Sequence, residues 1–312
     1  MIARCTKGDE WPCGEGKAPK GSVIWFTAED DIGDTVVPRL VSAGADLDCV
    51  HIVGMAKNAD GSRRMFNLAT DLPLLRSKIE QLGDVVLVII DPVSAYLGVG
   101  KINNSSTTDV RAVLAPLTKL AEDKKISVIG IMHFNKKADV TNAMLRIADS
   151  LAYVAAARHV YVVVEDADND KARLFVKAKN NLAPDKHALR FMVGTRHVGN
   201  DPDTNVEIWA PHVLWDSEHV EVTATEAMEA AESGGGSARA RRKEAEDFLR
   251  SRLGSGPVLQ KEIEEEAKAN CISDRTLRRA KTELGVKAAK QQGKVGGGWT
   301  WELPKVPKYD RD

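Results

Sequence analysis

The sequence predicts an α/β fold, a mostly parallel sheet with helices on both faces, followed by a small C-terminal domain. Three observations carry this expectation. Runs that are apolar almost throughout, VVLVII from Val85 to Ile90 and ISVIGIM from Ile126 to Met132, have the pattern of strands buried on both faces. They alternate with amphipathic stretches of helical period, as in parallel strands joined by crossover helices. The segment Ser233 to Ser237, SGGGS, then leads into the basic run Arg239 to Lys243 and reads as a flexible boundary.

Taken in order, the large domain offers a strand at Val23 to Thr27, a helix near Ile32 to Ala43, and a strand at Val50 to Val53. A helix near Asp71 to Leu82 leads to the strand Val85 to Ile90, and a helix near Thr108 to Asp123 to the strand Val128 to His133. The last pair, Val160 to Val164 and Leu174 to Lys177, flanks Asp166-Ala-Asp-Asn-Asp170 and reads as an antiparallel hairpin at the edge of the sheet. Beyond the boundary, Glu244 to Leu253, Leu259 to Ala269 and Ser273 to Leu284 read as three short helices. A glycine-rich turn from Gly293 to Gly298 and Trp299 to Glu302 complete a β-wing. Three helices and a wing in about 60 residues is the arithmetic of a winged helix. The expected division is residues 1–222 for the core, 223–243 for the linker, 244–304 for the winged helix and 305–312 for a tail.

Composition narrows the class. With 43% hydrophobic and 29% charged residues among 312, the chain has ordinary globular composition. No apolar run approaches the roughly 18 residues of a membrane span, and the polar start has no signal-peptide core, so a cytoplasmic protein is expected. Cys5, Cys13, Cys49 and Cys271 lie far apart, without ligand spacing, and read as free thiols. From Arg239 to the end there are 18 Lys+Arg against 12 Asp+Glu, a surplus of +6; the totals of 44 and 45 leave 26 against 33, or −7, for residues 1–238. An acidic body with a basic module suggests a polyanionic partner, although a solvated surface has the same composition.

The chemistry lies at strand ends. VVLVII ends in Asp91, a carboxylate at the carboxyl edge of a buried strand, where open α/β sheets bind ligands. This is the Walker B pattern, able to hold Mg²⁺ through water; alone it is equally an Asp-Pro turn. The first strand ends in Ala28-Glu29-Asp30-Asp31 and another in Met132-His133-Phe134-Asn135. The three strand ends should bring these residues to one edge of one sheet, where Glu29 can polarise a water, Asp91 can position the cation and His133 can sense a terminal phosphate. The structural alternatives are a helix cap for the acids and a core role for the histidine.

These segments resemble a family. AEDD, IIDPVSAYLG, MHFNK, SLAYVAAARHVYVVVEDAD and VKAKNNLAP look like the RecA/DnaB-type AAA-domain ATPases related to the plasmid replicative helicase RepA, and ISDRTLRRAKTELGV with GGGWTWELP is similar to the winged-helix tail of some members. The resemblance implies a RecA-like core and a ring-forming motor, a homo-hexamer driven by ATP and Mg²⁺ on DNA. It makes Glu29 the catalytic glutamate, Asp91 the Walker B aspartate and His133 the sensor. It also places Lys177 and Lys179 where a neighbouring subunit inserts basic fingers; the other reading is a solvated edge strand. The same resemblance puts Lys136, Lys137 and Arg146 on a loop facing a channel for single-stranded DNA. In the tail, Arg275, Arg278, Arg279 and Lys281 would enter a duplex groove while Lys287, Lys290 and Lys294 near the wing meet phosphates. Glu262, Glu264, Glu265 and Glu266 on the preceding helix oppose that reading, and winged helices also dock proteins.

One motif is missing. A P-loop, G-x-x-x-x-G-K-[ST], cradles phosphates with backbone N–H groups, and no segment of the chain matches it. Gly98-Val-Gly100-Lys101 fails at Ala95 and at Ile102. In the resembling family the P-loop and a central strand precede the segment that begins here at Met1. The expectation is therefore a truncated ATPase, unstable and inactive alone, or one whose strand another polypeptide supplies. The competing class is a non-catalytic winged-helix DNA-binding regulator with the large domain as an oligomerising body.

Overall fold

The computed structural model describes residues 1–58, 60–98, 106–133, 151–180, 187–232, 234–290 and 299–304. They form two compact units, Met1–Glu229 and Ala230–Asp312.

The first unit is built on a four-stranded parallel sheet. Helix α1 (Ile2–Lys7) precedes strand β1 (Ser22–Thr27); a π-turn, Ile32–Val36, runs into α2 (Val37–Ala43), and β2 (Val50–Val53) follows. A small hairpin, β3 (Met55–Lys57) and β4 (Arg63–Met65), comes before α3 (Leu72–Leu82) and β5 (Val85–Asp91). Helix α4 (Thr107–Lys124) then leads to β6 (Ser127–Gly130). The order is β2-β1-β5-β6, with Thr27 beside Asp91 and Ile90 beside Gly130.

Sequence chemistry explains the helix ends. Pro73 stands in the first turn of α3 and Gly83 ends it with φ 78°, a left-handed conformation open to glycine. Ser106 caps α4 by accepting a hydrogen bond from the Asp109 N–H at 3.3 Å. Apolar strands explain the layers. Ile24, Phe26, Val88 and Ile90 pack on one face with Leu75 and Ile79 of α3 and Val110, Val113 and Leu117 of α4. Val23, Leu87 and Ile89 pack on the other with Cys5 of α1 and Ala18. The α/β expectation of a parallel sheet covered on both faces is met.

Helix α5 (Leu151–Ala156) leads into a second sheet, β7 (His159–Asp166), β8 (Asn169–Asn180), β9 (His187–Asn200) and β10 (Glu207–Glu221). It is antiparallel, in the order β10-β9-β8-β7. This corrects the reading of a hairpin at the edge of the parallel sheet: β7 and β8 pair with each other and β8 with β9, in a sheet of their own. Strands β9 and β10 were not anticipated, because HALRFMVGTRHVGN and EIWAPHVLWDSEHVE mix apolar and polar residues without strict alternation. Helix α2 supports this sheet through Ser42 Oγ, which donates to the Ala210 carbonyl at 3.0 Å, and through Arg196, which donates to the Ser42 carbonyl at 3.0 Å.

Helix α6 (Ala224–Glu232) crosses the boundary between units, and α7 (Gly234–Leu253) follows. The segment expected as flexible linker is therefore largely helical. Glycine costs about 1 kcal/mol per helical residue, which makes SGGGS read as a break. The helix-forming run from Ala238 to Leu253 instead extends back through Gly234. The second unit adds β11 (Val258–Leu259), α8 (Gln260–Ala269), α9 (Asp274–Glu283), β12 (Lys287–Lys290) and β13 (Trp299–Glu302). Its strands are ordered β11-β13-β12, and its core joins Leu249, Leu253, Ile263, Leu277, Val286 and Trp301. Ser273 caps α9, accepting from the Thr276 N–H at 3.2 Å.

Among the described residues no helix is long and apolar enough to cross a membrane. The four cysteines are free.

Candidate functional site at the carboxyl edge of the parallel sheet

Parallel strands end together, and backbone hydrogen bonds extend that coincidence into the loops. The Ala28 N–H donates to the Asp91 carbonyl at 3.2 Å, which sets Glu29 just beyond the edge of β1. The ladder of β6 stops at Gly130, three residues short of the expected strand end. Two bonds still hold the chain against β5: the Ile131 N–H donates to the Ile90 carbonyl at 2.9 Å, and the Val93 N–H to the Ile131 carbonyl at 3.0 Å. Gly130 permits this approach, since a Cβ there would overlap Val93 Cγ2.

The result is convergence. His133 Nε2 lies 3.3 Å from Glu29 Oε2, and both side chains are more than half exposed, at 71% and 55%. Asp91 is half-buried between them in sequence register. Burial pushes its carboxyl up, the negative charge of Glu29 adds to that, His133 works against it, and Asp30 adds a smaller upward push. Asp30 is itself paired with Arg39 at 2.7 Å, and Asp31 accepts from the Asp34 N–H at 2.9 Å. Three residues separated along the chain thus share one electrostatic neighbourhood at the edge where α/β sheets bind ligands.

Tyr96 was missed by sequence reasoning. It is fully buried against Phe26, and its hydroxyl has no hydrogen-bond partner among the described residues. Burial first, and the Asp91 charge second, push the phenol up to about 12. The available signal was the turn after Asp91-Pro92, which returns the chain beneath the strand end.

An acidic rim fits a hydrated Mg²⁺, which takes one or two carboxylates and completes its shell with water and phosphate. Among the described residues no group of three or more His, Cys, Asp or Glu is arranged to hold a metal ion. The phosphate side is different: the Gly-rich cradle is absent from the sequence.

The two lysines lie elsewhere, on the second sheet. Lys179 Nζ donates to the carbonyls of Val154 at 2.8 Å, Ala155 at 3.4 Å and Ala157 at 2.7 Å, closing the carboxyl end of α5. Lys177 lines a cavity of about 310 Å³ with Leu87, Ile129, Tyr161, Phe175 and Trp215. Lys136, Lys137 and Arg146 lie outside the described residues.

In the second unit Arg278, Arg279 and Lys281 stand on α9, while Lys287 and Lys290 are exposed on β12. Arg275 also stands on α9, but its side chain lies outside the described residues. Lys281 Nζ sits 4.0 Å from the centroid of the Trp301 ring. Burial there pushes its ammonium down; Glu264 raises it and Arg278 lowers it. One of the four opposing acids, Glu266, is engaged by Arg252 of α7 at 2.5 Å.

A comparison with curated proteins gives no match. Among solved structures, the chain is similar to a DnaB-like replicative helicase described with its interactions with primase (15% identity, TM-score 0.43, 60% of this chain and 51% of that one). It is also similar to the RadB recombinase (17% identity, TM-score 0.39, 55% of this chain and 75% of that one). The chain thus spans about half the length of the helicase chain it matches. Residues 1–139, which carry Glu29, Asp91 and His133, match the family model described as the AAA domain.

Proposed function

We propose that the chain is the hydrolytic and DNA-engaging part of a RecA-like ATPase of the helicase type, related to RepA and serving replication or mobile elements. The observation that carries this reading is the meeting of Glu29, Asp91 and His133 at one sheet edge, inside the stretch that matches the AAA domain. Mg-ATP, when bound, supplies the phosphoryl group and the cation that draws off its charge. Glu29 holds a water and takes its proton at the carboxylate. His133 Nε2, 3.3 Å from Glu29 Oε2, donates to it as the Nε2–H tautomer and fixes the direction in which the other oxygen points. Asp91 would hold the cation through water.

No segment of residues 1–312 matches the Gly-rich phosphate cradle. The second unit is a winged helix whose α9 meets DNA, and the working form is a ring, a homo-hexamer in which DNA engagement is coupled to hydrolysis. Lys136, Lys137 and Arg146 would track a single strand there.

The test joins the chain to an in-frame upstream G-x-x-x-x-G-K-[ST] segment and measures Mg²⁺-dependent ATP hydrolysis. Glu29→Gln should lower turnover by at least about a hundredfold while nucleotide binding persists. Turnover indifferent to both Glu29→Gln and Asp91→Asn would overturn the assignment. Duplex binding by the 312-residue chain, lost in the Arg278→Ala/Arg279→Ala double variant, tests the α9 reading separately.

A further inference from the structure

The wing carries an aromatic side chain that the core does not use. In the β12–β13 pair, Ala288 stands opposite Trp301 and Lys290 opposite Trp299. Side chains two apart on a strand share a face, and directly opposed residues of an antiparallel pair do too. Trp299, Trp301, Ala288 and Lys290 therefore lie on one face of the hairpin. Trp301 shows where that face points: the residue is buried, with Lys281 Nζ of α9 over its ring, and its Nε1 donates to Gln260 of α8 at 3.3 Å. Two residues before Trp301 on the same face, Trp299 is 53% exposed beside the exposed Lys290.

We propose that Trp299 is a base-stacking residue, and that α9 and the wing together hold DNA at a place where a base is unpaired. Resting on the reading of α9 as the DNA-contacting helix, this names the form of DNA that the same surface prefers. Charge selects the partner. From Asp274 to Glu302 the sequence has seven Lys+Arg against three Asp+Glu, the balance of a surface facing phosphates. The aromatic ring selects the form. A stacked duplex offers its base faces to no side chain, whereas an unpaired base exposes both, and a ring beside a lysine is the pairing that single-strand sites use. Indole is the largest of the aromatic platforms, and Lys290 is placed to meet the phosphate next to the stacked base.

The experiment measures anisotropy of fluorescein-labelled DNA of one sequence as blunt duplex, as single strand and as duplex with a single-stranded overhang, titrated with the 312-residue chain. Wild type should favour the overhang DNA over the blunt duplex. Trp299→Ala should weaken overhang and single-strand binding about tenfold and leave the blunt duplex nearly unchanged, while Trp299→Phe recovers most of the loss. Thermal melts matching wild type would show that the exposed position tolerates both changes. Trp299→Ala binding all three DNAs like wild type overturns the proposal, and more firmly if the variant alters self-association by light scattering, which would make the ring a protein contact. Binding to no DNA by the wild-type chain sinks the α9 reading with it. Duplex binding that needs Arg278 and Arg279 but ignores Trp299 sinks the stacking alone.

Discussion

At the scale of single residues, the same side chain chemistry is put to opposite uses. Asp71 is almost fully buried; it accepts from both terminal nitrogens of Arg64, at 2.7 Å through Nη2, and from the Asn67 N–H at 2.8 Å. Arg64 foremost, and the Asn67 and Thr70 hydrogen bonds with it, hold its carboxyl below the usual range against the effect of burial. A depressed folded value means stability that is present above the unfolded carboxylate range and is lost as pH falls through the folded value. Asp71→Asn should therefore lower the melting temperature at pH 7 and flatten its fall on acidification; a variant that keeps the wild-type acid limb would refute the assignment. Asp91 shows the reverse, its carboxyl raised by burial and by the charge of Glu29. Lys179, like Asp71, is engaged in structural bonds. Its three carbonyl contacts predict that Lys179→Ala costs about 1–2 kcal/mol, read by denaturant unfolding. A finger reaching into a neighbour's site would instead leave unfolding untouched and lower only activity in the assembly.

Among elements, what matters is how strand ends are brought level. Gly130 is the clearest case, because the β6 chain passes Val93 with no room for a side chain. Gly130→Ala should cost about 1–3 kcal/mol by overpacking and should move His133 away from Glu29, so that activity falls further than stability accounts for. Full activity in a correctly folded variant would show that this approach is not needed. The capped helices were legible because their signals are local: Ser106 and Ser273 each accept from the N–H three residues on, and Gly83 takes a left-handed conformation where the apolar period stops. The strand after Ile126 was legible in type but not in length, since beyond Gly130 the chain is held through Ile131, by single bonds to Ile90 and Val93 and not by a ladder. Lys281 was legible as a basic residue of α9, yet it leans on Trp301, a partner 20 residues away that no helical period could indicate.

The whole molecule consists of two units with separate cores, one around the parallel sheet and one around Leu249, Ile263, Leu277 and Trp301. Residues 230–312 expressed alone should accordingly unfold in one cooperative transition by circular dichroism, and Trp301→Ala should remove it, at a cost of about 3–5 kcal/mol. A non-cooperative melt of the isolated segment would mean that its core needs the rest of the chain.

The sequence by itself determined the parallel sheet, its helical cover, the acidic strand ends and the presence of a second basic unit. Each is written in a local pattern: burial on both faces leaves an unbroken apolar run, a buried helix face leaves a 3.6-residue period, and a strand's last residue is simply where the run stops. Tertiary structure alone decided that β7 to β10 form their own sheet, that His133 Nε2 comes within 3.3 Å of Glu29 Oε2, that Lys179 closes α5 and that Trp299 is exposed where Trp301 is buried. Those outcomes depend on which surfaces meet once the chain has folded. Hydrophobic periodicity records how much of a side chain is hidden, and not which distant group hides it.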